Sequence, residues 1–279
     1  MGNRRLGRKR LKAVQQQNYN KSDAWGFVRP AMVPGFSRNV RVIALDSWGT
    51  NGDDAILDVA ADGATTSVWM YDNENTATKA THATHADFND GCVTMGTGGA
   101  ASDMTGLISA AAPFTCTTNK PWWVETSINL TDIDKVEMFF GLFTSGAWTS
   151  GENIAVLAAG ASHDTAGFCK NVHTTGAIKV RQNKDGDGSI DRSLTSAVTL
   201  AADTDVLTMA IHWDGTNTIS YYAAKASTGS EVGALPLVLQ VSDYVPSDDM
   251  QLILQLCEGA GAGAAETMNV NYLRGAWTI

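Results

Sequence analysis

The segment Asn183-Lys184-Asp185-Gly186-Asp187-Gly188-Ser189-Ile190-Asp191 is the sharpest local motif in the chain. Oxygen-bearing side chains at alternate positions ahead of a glycine match the first half of an EF-hand loop, where they would ligate calcium. The twelfth position is Leu194, where that loop needs a bidentate Glu, and the flanks read as strands rather than helices. An acidic hairpin turn explains the same residues, because Asp and Gly are preferred turn formers. Asp185, Asp187 and Asp191 stand as cation candidates against that simpler reading, and no metal or other cofactor is assigned.

Two further groups could do chemistry. His82 and His85 sit in THATHADFND beside Asp87 and Asp90. On a strand, residues i and i+3 point to opposite faces, which opposes a shared metal, and no third ligand has a clear spacing. Exposed loop histidines are expected. Glu125, Asp132, Asp134 and Glu137 are the carboxylates of an otherwise apolar stretch. Retaining glycoside hydrolysis needs an acid/base and a nucleophile about 5 Å apart. Glu125 stands alone on its strand, while the other three surround a turn. There is no GxSxG, no HExxH and no phosphate-cradling glycine loop ending in Lys. The Gly-rich EGAGAGAAE at 258–266 precedes a strand, not a helix, and reads as a flexible loop. His212, on the opposite parity from Trp213, is expected at a half-exposed sheet position rather than as a catalytic base. No enzymatic activity is expected.

The elements that would position these residues are organised around Pro121–Ser145, PWWVETSINLTDIDKVEMFFGLFTS. Trp122, Val124, Thr126, Ile128 and Leu130 share one parity, and Glu125, Ser127 and Asn129 share the other. That period of two predicts a strand with one face buried and one face wet. After a polar break at Thr131–Asp134, Val136, Met138, Phe140 and Leu142 resume the alternation. A strand pair this apolar needs a second sheet over it and is expected at the centre of a β-sandwich. Further strands are expected at 41–45, 55–60, 65–71, 91–97, 104–111, 153–159, 166–173 and 177–182. The last set falls at 193–200, 205–213, 217–225, 235–242, 250–257 and 267–278. Gly, Asn and Asp clusters separate them, and no helical stripe is sustained. The polar stretch 72–90 is expected as a surface loop or loose edge. Around Asp214-Gly215, Leu207 to Trp213 and Ile219 to Ala223 alternate, which predicts a hairpin whose turn uses the positive φ open to Gly215.

Charge divides the chain. Residues 1–41 hold ten Lys or Arg and a single acid, Asp23, while the remainder holds ten basic and 28 acidic residues within a total of −9. A basic N-terminal arm and strap, 1–40, therefore precedes an acidic body, 41–279, which is expected to be one domain. Arg4, Arg5, Arg8, Lys9, Arg10 and Lys12 read either as a solvated tail or as an anchor that orders on a partner. In AWGFVRPAMVPGFSR, Trp25, Phe27 and Phe36 could anchor an extended strap. No apolar run approaches the roughly 18 residues of a membrane span. The start carries no apolar signal core, and Leu6 stands where a myristoylation motif needs Ser or Thr. Cys92, Cys116, Cys169 and Cys257 show no CxxC pair and are expected as free thiols.

Three pieces in order, PWWVETSINL leading into EMFFGLFTSG, the LTMAIHWDGTNTISYYA hairpin and the terminal ETMNVNYLRGAW, resemble the concanavalin A-like lectin/glucanase jelly roll. They resemble the version found among tailed-bacteriophage structural proteins, and the MGNRRLGRKRL start is similar to those of marine phage virion proteins. The resemblance implies an all-β jelly-roll sandwich over 41–279 and a virion structural protein of the capsid decoration (cement) type, located on the capsid surface. It implies the major capsid protein as partner, with no membrane and no nucleic acid, and a homo-oligomer, commonly a trimer. A tail or fibre protein that binds cell-surface glycan is the alternative. Glycosidases on this sandwich carry ExDxE or ExDxxE on one strand, and neither pattern occurs here. Most of the eight tryptophans fall within strand alternation, so core packing explains them; Trp123 and Trp148 are expected as exposed aromatics.

Overall fold

The computed structural model describes residues 40–46, 69–74, 78–85, 88–100, 102–146, 153–156, 162–194, 198–201, 203–226, 235–259 and 265–278. They form two antiparallel sheets packed face to face. The front sheet contains β1 (Val40–Asp46), β3 (Thr78–His85), β4 (Phe88–Gly96), β6 (Trp122–Leu130), β11 (Val206–Trp213), β12 (Ile219–Ala226), β13 (Leu237–Val241) and β15 (Thr267–Thr278). The back sheet contains β2 (Trp69–Glu74), β5 (Met104–Ser109), β7 (Val136–Thr144), β8 (Thr165–Lys170), β9 (Lys179–Lys184), β10 (Gly188–Ser193) and β14 (Met250–Glu258). The front order is β13-β12-β11-β6-β15-β4-β3, with β1 also on β15, and the back order is β10-β9-β8-β7-β14-β5-β2. The chain passes from sheet to sheet between β1 and β2, β2 and β3, β4 and β5, β5 and β6, β6 and β7, β10 and β11, β13 and β14, and β14 and β15. That alternation makes a jelly roll.

The inward parities are those expected from the alternation. Trp122, Val124, Ile128 and Leu130 of β6 meet Val136, Met138, Phe140 and Leu142 of β7 in one core, with Leu207, Met209, Ile211 and Trp213 from β11 and Leu252, Leu254 and Leu256 from β14. Two expectations about this centre need correction. β6 and β7 are not a pair within one sheet: β6 bonds to β11 and β15, and β7 bonds to β8 and β14. The break after Leu130 is a crossover between sheets, braced by Lys135 Nζ on Asp132 Oδ2 at 2.7 Å. Nor is one face of β6 wet, since all nine residues are buried. Trp123, Ala210, Leu235, Tyr272 and Ala276 form a second apolar cluster outside the front sheet. Ile108, Phe139, Phe143, Ile154, Ala155, Cys169 and Ile253 form a third outside the back sheet.

Other elements differ from the pattern-based reading at their polar edges. The stretch 72–90, expected as a surface loop or loose edge, contains the end of β2, the edge strand β3 and the start of β4. Among the described residues of 153–159 there is a 3-10 turn, Ile154–Val156, where a strand is expected. Where a strand is expected at 193–200, β10 ends at Ser193, and among the described residues beyond it Thr199 forms an isolated bridge to Ala177. The expected strand 55–60 lies outside the described residues. The β11–β12 hairpin is present, closed by five residues. Asp214 Oδ1 accepts from the backbone N–H of Thr216, Asn217 and Thr218 at 2.7, 3.0 and 3.2 Å, and Gly215 has φ 78° as expected. The four cysteines are free.

Candidate functional site

The outer face of the front sheet gathers most of the chemistry-bearing residues. Cross-strand register builds it in rows. His212 lies opposite Trp123, Glu125 opposite Ala210 and Arg274, Ser127 opposite Thr208 and Tyr272, and Asn129 opposite Asn269. Glu125 is fully buried, and its Oε2 accepts from Trp123 Nε1 at 2.9 Å. The Arg274 guanidinium lies 4.5 Å over the Tyr272 ring, a cation–π contact in a buried setting. Trp123 is flanked by Tyr222 at 5.4 Å and His212 at 5.6 Å between ring centroids.

Lower rows are closed by amides and hydroxyls. Thr208 Oγ1 donates to Ser127 Oγ at 3.3 Å. Asn269 Nδ2 donates to Asn129 Oδ1 at 3.3 Å, and Thr94 Oγ1 donates to Asn269 Oδ1 at 2.9 Å. Asn129 Nδ2 donates in turn to the carbonyls of Asp203 and Asp205, at 2.6 and 3.2 Å.

This arrangement holds the sheet together and does not pair two carboxyl groups. The positions two and four residues beyond Glu125 on the same face of β6 are Ser127 and Asn129, a hydroxyl and an amide. Burial pulls the His212 ring down to about 4, so it is neutral at pH 7, and its Nε2 is buried without a partner. His212, expected at a half-exposed position, is only partly exposed, with its ring largely buried. Trp123, expected to be exposed, is 2% exposed. The reason is the apolar cluster over this face, which strand alternation does not reveal. Trp148 lies outside the described residues.

The Asp/Gly segment forms the β9–β10 hairpin, with Gly186 at φ 74°. Its acids face different partners. Asp191 pairs with Arg181 at 3.0 Å and Lys179 at 3.8 Å, and Asp187 pairs with Lys184. The Asp185 backbone N–H donates to Asp164 Oδ1 at 2.7 Å. Among the described residues, no group of three or more His, Cys, Asp or Glu side chains is placed to hold a metal ion. His82 and His85 lie on β3 and Asp90 on β4, where loop histidines are expected; Asp87 is outside the described residues. Arg4, Arg5, Arg8, Lys9, Arg10, Trp25, Phe27 and Phe36 also lie outside them.

Asp164, Lys170 and Arg274 are among the buried charges that escape sequence reasoning. Asp164 accepts from the backbone N–H groups of Asp185, Ser247 and Asp248, tying the β9–β10 turn to the segment before β14. Lys170, at the end of β8, donates to the carbonyls of Val136, Val172 and His173 at 2.7, 3.0 and 3.2 Å. Burial pulls its ammonium down to about 8, against the opposing pull of Glu137, Asp134 and Asp132. A lone charge within an apolar strand, as in GFCK or NYLRGAW, is the signal that could have found Lys170 and Arg274.

No protein-family model and no curated protein matches this sequence. Among solved structures, a protein of unknown function from Shewanella oneidensis MR-1 is similar, with a TM-score of 0.56 at 9% identity over 87% of this chain and 88% of that one. Winged bean acidic lectin in complex with methyl-α-D-galactose follows at a TM-score of 0.48 and 12% identity, covering 86% and 98%. A Bacillus licheniformis β-glucanase scores 0.44 at 16% identity, covering 77% and 100%. Such neighbours include both enzymes and lectins. The fold of this chain is an all-β jelly-roll sandwich of two antiparallel sheets.

Proposed function

We propose that this protein is a non-enzymatic structural protein of a tailed-bacteriophage virion, of the kind that decorates and stabilises a capsid. The observation that supports a non-catalytic body is the Glu125–Ser127–Asn129 face. One carboxylate is buried there in an indole hydrogen bond, and no second carboxyl sits on that strand face to serve as acid/base or nucleophile. Along β6 the outer face of the front sheet is buried under the protein's own side chains, so the role is assigned to other surfaces and to the basic N-terminal residues. The contrast between ten basic residues in 1–41 and 28 acids beyond them favours attachment through that segment. Repetition over a lattice would let individually weak contacts add up.

Quantitative mass spectrometry of purified particles tests the reading. Hundreds of copies per particle are expected. A few copies per particle would assign it to a tail or fibre instead, and absence from particles would overturn the virion role altogether.

A further inference from the structure

One end of the sandwich holds a pocket of about 180 Å³ lined by Pro113, Thr115, Lys120, Trp122, Trp277 and Thr278. It opens where β6 begins and β15 ends, because Trp122 is the cross-strand partner of Trp277. Phe114 meets both indoles edge-on, with ring centroids 6.1 Å from Trp122 and 5.5 Å from Trp277. The Trp122 indole N–H is taken up by the Cys116 thiol, so the pocket asks for no acceptor there. Trp277 packs on the core but is only partly buried, which leaves apolar surface uncovered at this end. One buried polar atom of the lining is unmet, the Thr278 Oγ1. Buried hydroxyls are ordinarily paired. The missing occupant therefore brings an apolar group together with a backbone N–H or C=O, which describes a chain segment better than a free small molecule.

The chain's own path supplies such a segment. β1 starts at Val40, and its ladder sets Val40 opposite Thr278 and Arg41 opposite Trp277. Residues 1–39 lie outside the described residues, and they join the body at Val40, beside the pocket lining. Upstream of Val40, Asn39, Arg38 and Ser37 are polar, and Phe36 is the first apolar side chain. Four residues of extended chain span about 13 Å, against roughly 5 Å between ladder partners, so Phe36 is within reach of Trp277. We infer that the Phe36 ring seats in this pocket of its own chain, against Pro113, Trp122 and Trp277, while the backbone of 37–39 meets the Thr278 hydroxyl. An apolar cavity of about 150 Å³ admits benzene, so the space suits one phenyl ring. Trp25 and Phe27 lie farther back and compete on a longer tether, at lower effective concentration. Phe36 thus clips the N-terminal segment to the body and leaves Trp25 and Phe27 for a partner.

The test follows the indole N–H signals of the full-length protein by NMR, with the Trp277 signal assigned through Trp277→Phe. Phe36→Ala should move that signal, because it removes the ring current of the seated phenyl, while Phe27→Ala should leave it in place. Benzene should bind Phe36→Ala saturably and about tenfold more tightly than the wild type, since the vacated pocket is then open. Phe36→Leu, which keeps bulk but has no ring current, should move the signal without opening the pocket to benzene. Unlabelled wild type added to isotope-labelled Phe36→Ala should not restore the original signal. Restoration would seat the ring in a second copy's pocket and overturn docking within one chain. The inference fails if Phe36→Ala leaves the Trp277 signal unmoved, or if Phe27→Ala moves it as far. It fails equally if benzene binds wild type and Phe36→Ala alike.

Discussion

Lys170 offers the most direct test of how the back sheet is held. Its ammonium is buried, with three backbone carbonyls within 2.7 to 3.2 Å. Lys170→Met keeps the length of the side chain and removes both the charge and the donors. Because burial lowers the folded-state pKa from 10.5 to about 8, the folded protein releases this proton before the unfolded chain does. The unfolded state therefore binds more protons between pH 8 and 10.5, and stability rises with pH across that window. At 1.36 kcal/mol per unit the gain is at most about 3 kcal/mol, and on the order of 2 once solvent screening at this end of β8 is allowed for. Urea unfolding of both proteins from pH 7 to 10.5 isolates the effect, because all other groups cancel in the difference. The wild type should gain on the variant as pH rises, with most of the change above pH 8. A flat difference curve, or one of opposite slope, would refute the account of Lys170 as a desolvated cation held by carbonyls.

Asp164→Ala removes a buried carboxylate that accepts from three backbone N–H groups, and should cost about 3–4 kcal/mol, read as a lower urea midpoint. Gly167→Ala would place a Cβ 2.5 Å from the Phe139 ring and 2.9 Å from Phe140 O, where β7 and β8 approach closely; a loss of about 1–3 kcal/mol is expected by the same assay. Because Asp187 and Asp191 are engaged by Lys184, Lys179 and Arg181, calcium or a chelator should leave the melting temperature unchanged, whereas a rise lost in Asp185→Ala would reveal a cation site. Replacing residues 2–39 by a short linker should leave a β-rich, cooperatively unfolding body, because β1 begins at Val40; circular dichroism and thermal melting decide it.

What the sequence reveals here is parity, and what it conceals is cover. Alternation in Trp122–Leu130 and Val136–Thr144 picks out the inward side chains, because only a period of two places i and i+2 on one pleated face. It says nothing about whether the second face is later roofed, and so Trp123 reads as exposed and Glu125 as wet. The polar break at Thr131–Asp134 is equally compatible with a hairpin and with a crossover, since either needs only a few turn-forming residues. Edge strands are harder still. GSIDRS in β10 and THATH in β3 carry the polar composition of loops because an edge strand meets water, and hydrogen bonds along the ladder leave no trace in composition. Of the candidate site, the lone Glu125 is legible from the residues. Its burial, its indole partner and the Arg274 opposite require the register of β15 against β6.

That register has a temporal side. β15 lies inside the front sheet, with β6 along one edge and β4 and β1 sharing the other, so that Val40 faces Thr278 across the ladder. On a ribosome, β6 would wait unpaired on that edge while well over a hundred further residues were made. Contacts this distant in sequence belong to chains that fold in milliseconds to seconds rather than microseconds. During that interval the apolar WWVETSINL edge is an open template for another copy. Crowded synthesis, as in overexpression, would therefore favour aggregation unless a chaperone shields β6 until its partner arrives.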